Sequence, residues 1–216
     1  MIKKLQDVSQ DVFLELEKSP DKKDKNNLHK IKQKIARKYS LPQAPRNINL
    51  FLSATEKQRK KFSNLLLTKP TRTISGVAPL ALFTRPMGCP PQAKCIFCPG
   101  GPGSFFGNVP KSYTGNEPAS RRAARNHYDP YLQVFNRLEH YSILNQNFEK
   151  LEVITMGGTF QFYPEAYRKE FMMYLYKAVN DFSKMFYSKN KFNYNTFKEF
   201  FELPCSNIND KERTER

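Results

Sequence analysis

Two short apolar runs fix most of what this chain can become: "ISGVAPLALFT" at 74–84 and "LEVITM" at 151–156. Each has the length of a buried strand and is bounded by glycine or a polar break. Between them lies "EPASRRAARNHYDPYLQVFNRLEHYSILNQ" (117–146), two helical patterns interrupted near Asp129 and Pro130, where proline cannot continue a helix. Strands separated by helices do not form a hairpin; they pair in parallel, as in β/α folds. The second run ends at Gly157 and Gly158, and a further helix is predicted over 164–182 with Pro164 in its first turn. The expected fold class is therefore α/β, the opening units of a β/α series. Pro79 fits the first strand only at its start. Two strands neither close a barrel nor make a stable parallel sheet, so the remainder is expected from another chain or from a longer protein.

The region before this series reads differently. Residues 2–18 predict a helix with Ile2, Leu5, Val8, Val12, Leu14 and Leu16 on a ragged apolar side. A breaker follows at 19–27, then a second helix over 28–40 with Leu28, Ile31 and Ile35 in one stripe. Residues 41–47 are extended by two prolines, and a third helix over 53–69 opens on a capping box of Ser53 and Glu56. The last stretch, 190–216, ends on a charged helix-like run. The domain division expected is a basic helical region over 1–72 and an α/β core over 73–216.

Charge supports that division. The chain carries a net +16, and residues 1–72 hold eighteen Lys and Arg against seven Asp and Glu, a net +11. A solvated helical surface is the plain reading; a concentrated basic segment beside a metal site points to a polyanion, above all nucleic acid. A hydrophobic fraction of 39% excludes wholesale disorder, and no apolar run has the length of a membrane span. The N-terminus lacks a signal peptide's apolar core, so a cytoplasmic protein is expected.

Three of the four cysteines fall within ten residues of "GCPPQAKCIFCPGGPGS" (88–104), as Cys89, Cys95 and Cys98 in C-x5-C-x2-C spacing; Cys205 stands alone. This is a metal or redox pattern rather than a disulfide framework. Zinc is one reading, but a structural zinc wants four ligands and the fourth candidates (Cys205, His127, His140) are distant in sequence. A [4Fe–4S] cluster held by three thiolates is the other, with one iron open to chelate S-adenosylmethionine and start radical chemistry. The loop follows the first strand, at the sheet end where β/α folds place their sites, and Gly157 and Gly158 end the next strand there. Lacking Cβ atoms, these glycines could let backbone groups approach the methionine moiety. His29, His127 and His140 read as structural or surface residues.

The blocks "ISGVAPLALFT", "CIFCPGGPG", "KSYTGNEPASRRAARNHYDPYLQVFNRLE" and "EKLEVITMGGTF", with "KIARKYSLPQAPRN" and "KPTRTISG" upstream, closely resemble Elongator-type catalytic subunits, a family of radical S-adenosylmethionine enzymes. The resemblance implies a partial TIM-like radical barrel preceded by a basic tRNA-binding region. It implies modification of the tRNA wobble uridine at C5, with acetyl-coenzyme A as carbon donor. Cys89, Cys95 and Cys98 fall on the family's cluster ligands, and the five-residue first gap suits this family better than ordinary radical enzymes. Lys150 falls on a lysine associated with acetyl-coenzyme A, its plain alternative being an exposed lysine at a strand start. Lys111, Ser112, Tyr113, Thr114 and Gly115 match a motif near the active site; for Tyr113 the plain alternative is loop packing. Family members are more than twice this length, and their C-terminal acetyltransferase-like domain is absent here. The expectation is thus a truncated or split chain whose other half is a separate partner. The competing expectation is a non-catalytic tRNA-binding fragment with a zinc-filled or empty cysteine site.

Overall fold

A computed structural model describes residues 2–18 and 24–203, apart from the side chains of residues 2–5 and 70. The chain divides into two compact units. The first runs to Ile74 and includes Tyr141–Asn147 and the described part of the segment from Tyr194 onward; the second holds the residues between. Cys205 and the charged run beyond residue 203 lie outside the described residues.

The first unit is helical: α1 (Ile2–Lys18), α2 (Lys25–Lys38), α3 (Asn47–Ser53) and α4 (Glu56–Leu66). On α1, Val8, Val12, Phe13 and Leu16 are fully buried, a one-sided stripe at helical spacing. Leu14, expected on that side, is 54% exposed, because a residue two beyond Val12 points across the helix. Phe13 takes its place and stacks on Phe62 of α4 at 5.7 Å between ring centroids. Leu28, Ile31 and Ile35 of α2 complete the core with Leu50, Phe51, Leu65 and Leu66. Each such side chain contributes about 1.5–3 kcal/mol on burial, and this one cluster makes the helices mutually dependent.

Two helix starts differ from expectation. α2 begins earlier because Asp24 caps it, its carboxylate accepting the Asn27 amide at 2.7 Å. The capping box of α4 is Thr55 with Gln58, not Ser53 with Glu56: Thr55 Oγ1 accepts the Gln58 amide at 3.3 Å and Gln58 Oε1 accepts the Thr55 amide at 2.9 Å. Ser53 is unavailable because it ends α3, a short helix the sequence reading missed.

The second unit contains β1 (Ala78–Phe83), α5 (Pro118–Arg125), most of α6 (Pro130–Ile143), β2 (Leu151–Met156) and α7 (Glu165–Phe186). The strands pair in parallel, Ala78 opposite Leu151 and Phe83 opposite Met156, with the helical crossover between them. The interruption at Asp129 and Pro130 stands where expected. Pro164 is the residue before α7 rather than in its first turn, and α7 runs on to Phe186. Its stripe Phe171, Leu175, Ala178, Phe182 and Phe186 is buried, with Phe182 edge-on to Phe135 and Phe148. A two-residue hairpin follows, β3 (Tyr187–Ser188) with β4 (Lys191–Phe192), turned by Lys189 and Asn190 at φ 48° and 60°. The short helix α8 (Tyr194–Phe200) belongs to the first unit.

The two edges of the parallel pair are unlike. Ala78 and Thr84 donate to the Lys150 and Met156 carbonyls at 2.8 and 3.0 Å, so the backbone of alternate residues from Ala78 faces β2. Pro79, Ala81 and Phe83 face outward. Pro79, the second residue of β1, sits at the strand's start as expected and does not break the ladder, since the position needs no N–H. Arg122 donates to the Ala81 carbonyl at 3.3 Å. Gln133 closes the rest: its Oε1 accepts the Phe83 amide and its Nε2 donates to the Phe83 carbonyl, both at 2.9 Å. Among the described residues β2 has no such cover. Val153 and Ile154 are 39% and 40% exposed, so this strand is not the buried one expected. The described residues form two strands of a parallel sheet, not a barrel.

Candidate functional site

The C-terminal ends of β1 and β2 deliver the site. Thr84, directly after β1, is buried with its hydroxyl 3.2 Å from the Gly157 carbonyl, and the Tyr163 hydroxyl also donates to that oxygen. Burial pushes the Tyr163 phenol up, keeping it protonated as a donor. The glycine pair is required by both space and conformation. Gly157 has φ +112°, and a Cβ there would lie 2.6 Å from Thr84 Oγ1. Gly158 has φ +91°, and its Cβ would meet Tyr163 Oη at 3.0 Å, Lys111 Cβ at 3.1 Å and Cys89 Sγ at 3.3 Å. The glycines thus admit Cys89 and the 111–115 segment to the end of β2.

That segment holds a second sulfur. Ser112, left-handed at φ 72°, donates its amide to Cys98 Sγ at 3.3 Å, and the Cys98 thiol donates to the Gly100 carbonyl at 3.0 Å. Thr159 Oγ1 donates to Cys89 Sγ at 3.8 Å. Tyr113 packs edge-on against Phe83 at 4.6 Å, which is the loop-packing alternative for that residue. Thr114 fastens the segment to the start of α5, its amide and hydroxyl both donating to Glu117 Oε1 at 2.9 Å. Burial raises the Glu117 carboxyl, but these bonds outweigh it and hold the group below its ordinary value.

Three thiols are a soft donor set suited to an iron–sulfur cluster or zinc. Two already carry the hydrogen bonds that orient ligand sulfurs, from Ser112 and Thr159. Cys95 does not share their cradle: it is exposed, in a turn where its carbonyl accepts the Cys98 amide at 3.1 Å. Among the described residues no three His, Cys, Asp or Glu are gathered closely enough to hold a metal ion. The donor set fits, and Cys95 is the member that must be brought in. Thr84, Thr159 and Tyr163 were missed by sequence reasoning; Ser112 was singled out within the 111–115 motif, but without its role as a donor to Cys98.

Lys150 is elsewhere. It is exposed just before β2, at the opposite end of that strand from Gly157. Six residues of strand separate them by about 20 Å at the usual rise. The first unit carries the expected basic residues, but part of their charge is committed. Lys38 pairs with Asp11 at 2.6 Å, Lys34 with Glu15 at 2.9 Å and Lys61 with Glu17 at 3.4 Å. Lys25, Lys30 and Arg37 make no ion pair among the described residues. No described helix is long and apolar enough to cross a membrane.

Residues 5–74 match the ELP3 N-terminal domain family. Elongator complex protein 3 of Drosophila melanogaster is 38% identical over 177 residues, which is 80% of this chain and 32% of that protein. The Homo sapiens protein of the same name is 39% identical over 174 residues, 79% of this chain and 32% of its own length. A tRNA uridine(34) acetyltransferase of Methanocaldococcus infernus is 42% identical over 159 residues, 73% of this chain and 30% of the relative. The chain therefore spans about a third of the length of these curated relatives. With sulfurs and glycines converging where its two strands end, and with this similarity running through both units, the chain is a relative of Elongator complex protein 3 that carries the family's N-terminal domain.

Proposed function

We propose that this chain supplies the RNA-binding helices and the cofactor-binding strand ends of an enzyme that modifies C5 of the tRNA wobble uridine. The observation that carries the reading is the meeting of Cys89 and Cys98 with Gly158 and Ser112 at the C-terminal ends of β1 and β2. Cys89, Cys95 and Cys98 would hold a [4Fe–4S] cluster, which when bound with S-adenosylmethionine supplies a carbon radical. The protein's own part is narrower. Ser112 and Thr159 orient two sulfurs, Thr84 and Tyr163 fix the Gly157 carbonyl, and Gly157 and Gly158 leave room for S-adenosylmethionine beside the backbone. Lys150, at the other end of β2, would meet acetyl-coenzyme A phosphates as a point charge. Lys25, Lys30 and Arg37 are the cations of α2 best placed to take tRNA phosphates, since no acid pairs with them among the described residues.

The open edge of β2 supports a partner. A parallel sheet is covered on both faces, whereas Val153 and Ile154 are left exposed, and β1 is closed by Pro79, Arg122 and Gln133. The remaining β/α units would add beside β2, from a separate C-terminal half. Anaerobic reconstitution with iron and sulfide, followed by Mössbauer spectroscopy, tests the metal reading. A [4Fe–4S] signal lost in Cys95→Ala is expected, and its persistence in that variant sinks the assignment. Exposed Cys95 favours a second reading, a tRNA-binding fragment with zinc or nothing at the thiols. Stoichiometric zinc without iron in protein purified without oxygen would select it.

A further inference from the structure

Beside the thiol site, the second unit has a groove of about 270 Å3 between the α5–α6 turn and α7, and no role above uses it. Arg85, the residue after Thr84, closes one side. Its guanidinium lies 4.7 Å from the Tyr167 ring centroid, and its amide donates to the Tyr167 hydroxyl at 2.9 Å. Tyr167 in turn rests on Tyr163 of the site just described, 6.0 Å between centroids. Tyr174 and Glu170 of α7 and His127, Tyr128 and Asp129 of the turn also line it.

The turn is unusual. His127 and Tyr128 both lie in the left-handed region, at φ 51° and 56°. They close α5, His127 donating to the Ala124 carbonyl at 3.0 Å and Tyr128 to the Ala123 carbonyl at 2.8 Å. A helix end of this shape favours glycine, and bulky residues there are strained. Two side chains held at that cost, both facing one cavity, point to a ligand rather than to packing alone.

The charges decide what kind. Arg85 is opposed by Glu170 at 3.9 Å, and Asp129 lines the same groove, its carboxylate capping the Leu132 amide at 2.9 Å. One guanidinium against two carboxylates leaves the groove without the positive charge a bare phosphate needs, and its only cation is already paired with Glu170. A neutral planar ring suits it, stacked on tyrosine or guanidinium and bonded at its edge by phenols. Burial pushes the Tyr128 and Tyr167 phenols up, so both remain donors. The volume falls just below the ~300–1,000 Å3 of drug-sized pockets, room for a single heterocycle.

We propose that the groove lined by Arg85, His127, Tyr128, Tyr167 and Tyr174 is a stacking site for one unpaired nucleobase of an RNA strand. It rests on the RNA reading above and adds to it a contact with a base beside the thiol site. The test compares a labelled oligouridine with an abasic strand of equal length, each titrated with the whole chain at moderate salt. The uridine strand is expected to bind about five-fold tighter or more, the scale of one stacked base. Arg85→Ala and Tyr128→Ala should abolish that preference and leave abasic-strand affinity unchanged. His127→Gly should weaken it while raising the unfolding midpoint, a combination that a purely structural role cannot produce. Equal affinity for the two strands, or a preference surviving the Arg85→Ala/Tyr128→Ala double variant, overturns the groove and leaves phosphate binding intact. Binding to neither strand overturns both.

Discussion

Gln133→Met removes the closure of β1 while keeping the volume of the side chain. Gln133 is 1% exposed, and its amide takes both backbone groups of Phe83, standing in for the next strand of the sheet. Methionine leaves the Phe83 N–H and C=O buried and without those partners, each costing about 1–3 kcal/mol. Part of this is offset because the glutamine amide no longer has to be desolvated, so a net loss of about 2–4 kcal/mol is expected. In urea, with a slope of about 1–3 kcal/mol/M, the unfolding transition of the α/β unit should move down by roughly 1–2 M. The amide of Phe83 should lose hydrogen-exchange protection first. Gln133→Glu gives an internal check, because a carboxylate can accept the Phe83 amide but only repels its carbonyl. That variant should be the less stable of the two at neutral pH and recover as acid protonates its carboxyl. A methionine variant within about 0.5 kcal/mol of the parent, the range of inconsequential surface changes, would refute the idea that Gln133 closes the edge.

Gly158→Ala should cost about 1–3 kcal/mol, the range for a residue forced into a sparsely populated backbone region, and should displace Cys89. An altered alkylation rate at Cys89 with Cys95 unchanged is the readout. Val153→Pro should be nearly neutral in this chain, because the Val153 N–H faces the open edge. Ile154→Pro removes a ladder bond to β1 and should cost about 1–3 kcal/mol, so equal effects in urea unfolding would contradict the register. In the helical unit, the Lys38 hydrogen bond, opposed by burial and aided by Tyr39, holds the Asp11 carboxyl below its ordinary 3.8. A depressed carboxylate contributes stability that is present above the unfolded value and lost as pH falls through the folded one. Urea midpoints should therefore drop on acidification below 3.8, with a shallower drop in Asp11→Asn.

Periodicity made the helical unit legible only in part. The Val8, Val12 and Leu16 spacing reports a true buried stripe, yet Leu14 shares its chemistry and points to solvent, while Phe13 fills the core. Hydrophobicity says that a side chain can be buried; the helix phase says whether it is. Pro79 shows the same gap in the sheet. Its doubtful standing as a strand residue dissolves once the ladder shows which way its nitrogen faces, and composition carries no such direction. At the site, the three cysteines and two glycines stand out by spacing. Ser112, Thr159, Thr84 and Tyr163 do not, because their roles come from loop closure, and a lone hydroxyl has no sequence period to announce it. Capping suffered from a neighbour effect: Ser53 and Thr55 both offer a hydroxyl, and only the unsuspected α3 ending at Ser53 decides between them.

The asymmetry of the β1–β2 pair joins fold to function. A closed barrel needs its first strand open on both sides, whereas here β1 gives its outer bonds to Arg122 and Gln133 and has a proline where a donor would be needed. Among the described residues the edge left for a further strand is that of β2, and a sheet extended there alone would be an open one. Its active end then keeps a gap beside β1, on the flank where Arg85 and the α5–α6 turn stand. Such a sheet leaves the strand ends reachable from the side, as the RNA strand proposed above would require. The seal on β1 is therefore a stability device and, on that proposal, also a condition for access. Gln133, which touches neither thiol nor groove, is the residue through which those two roles meet.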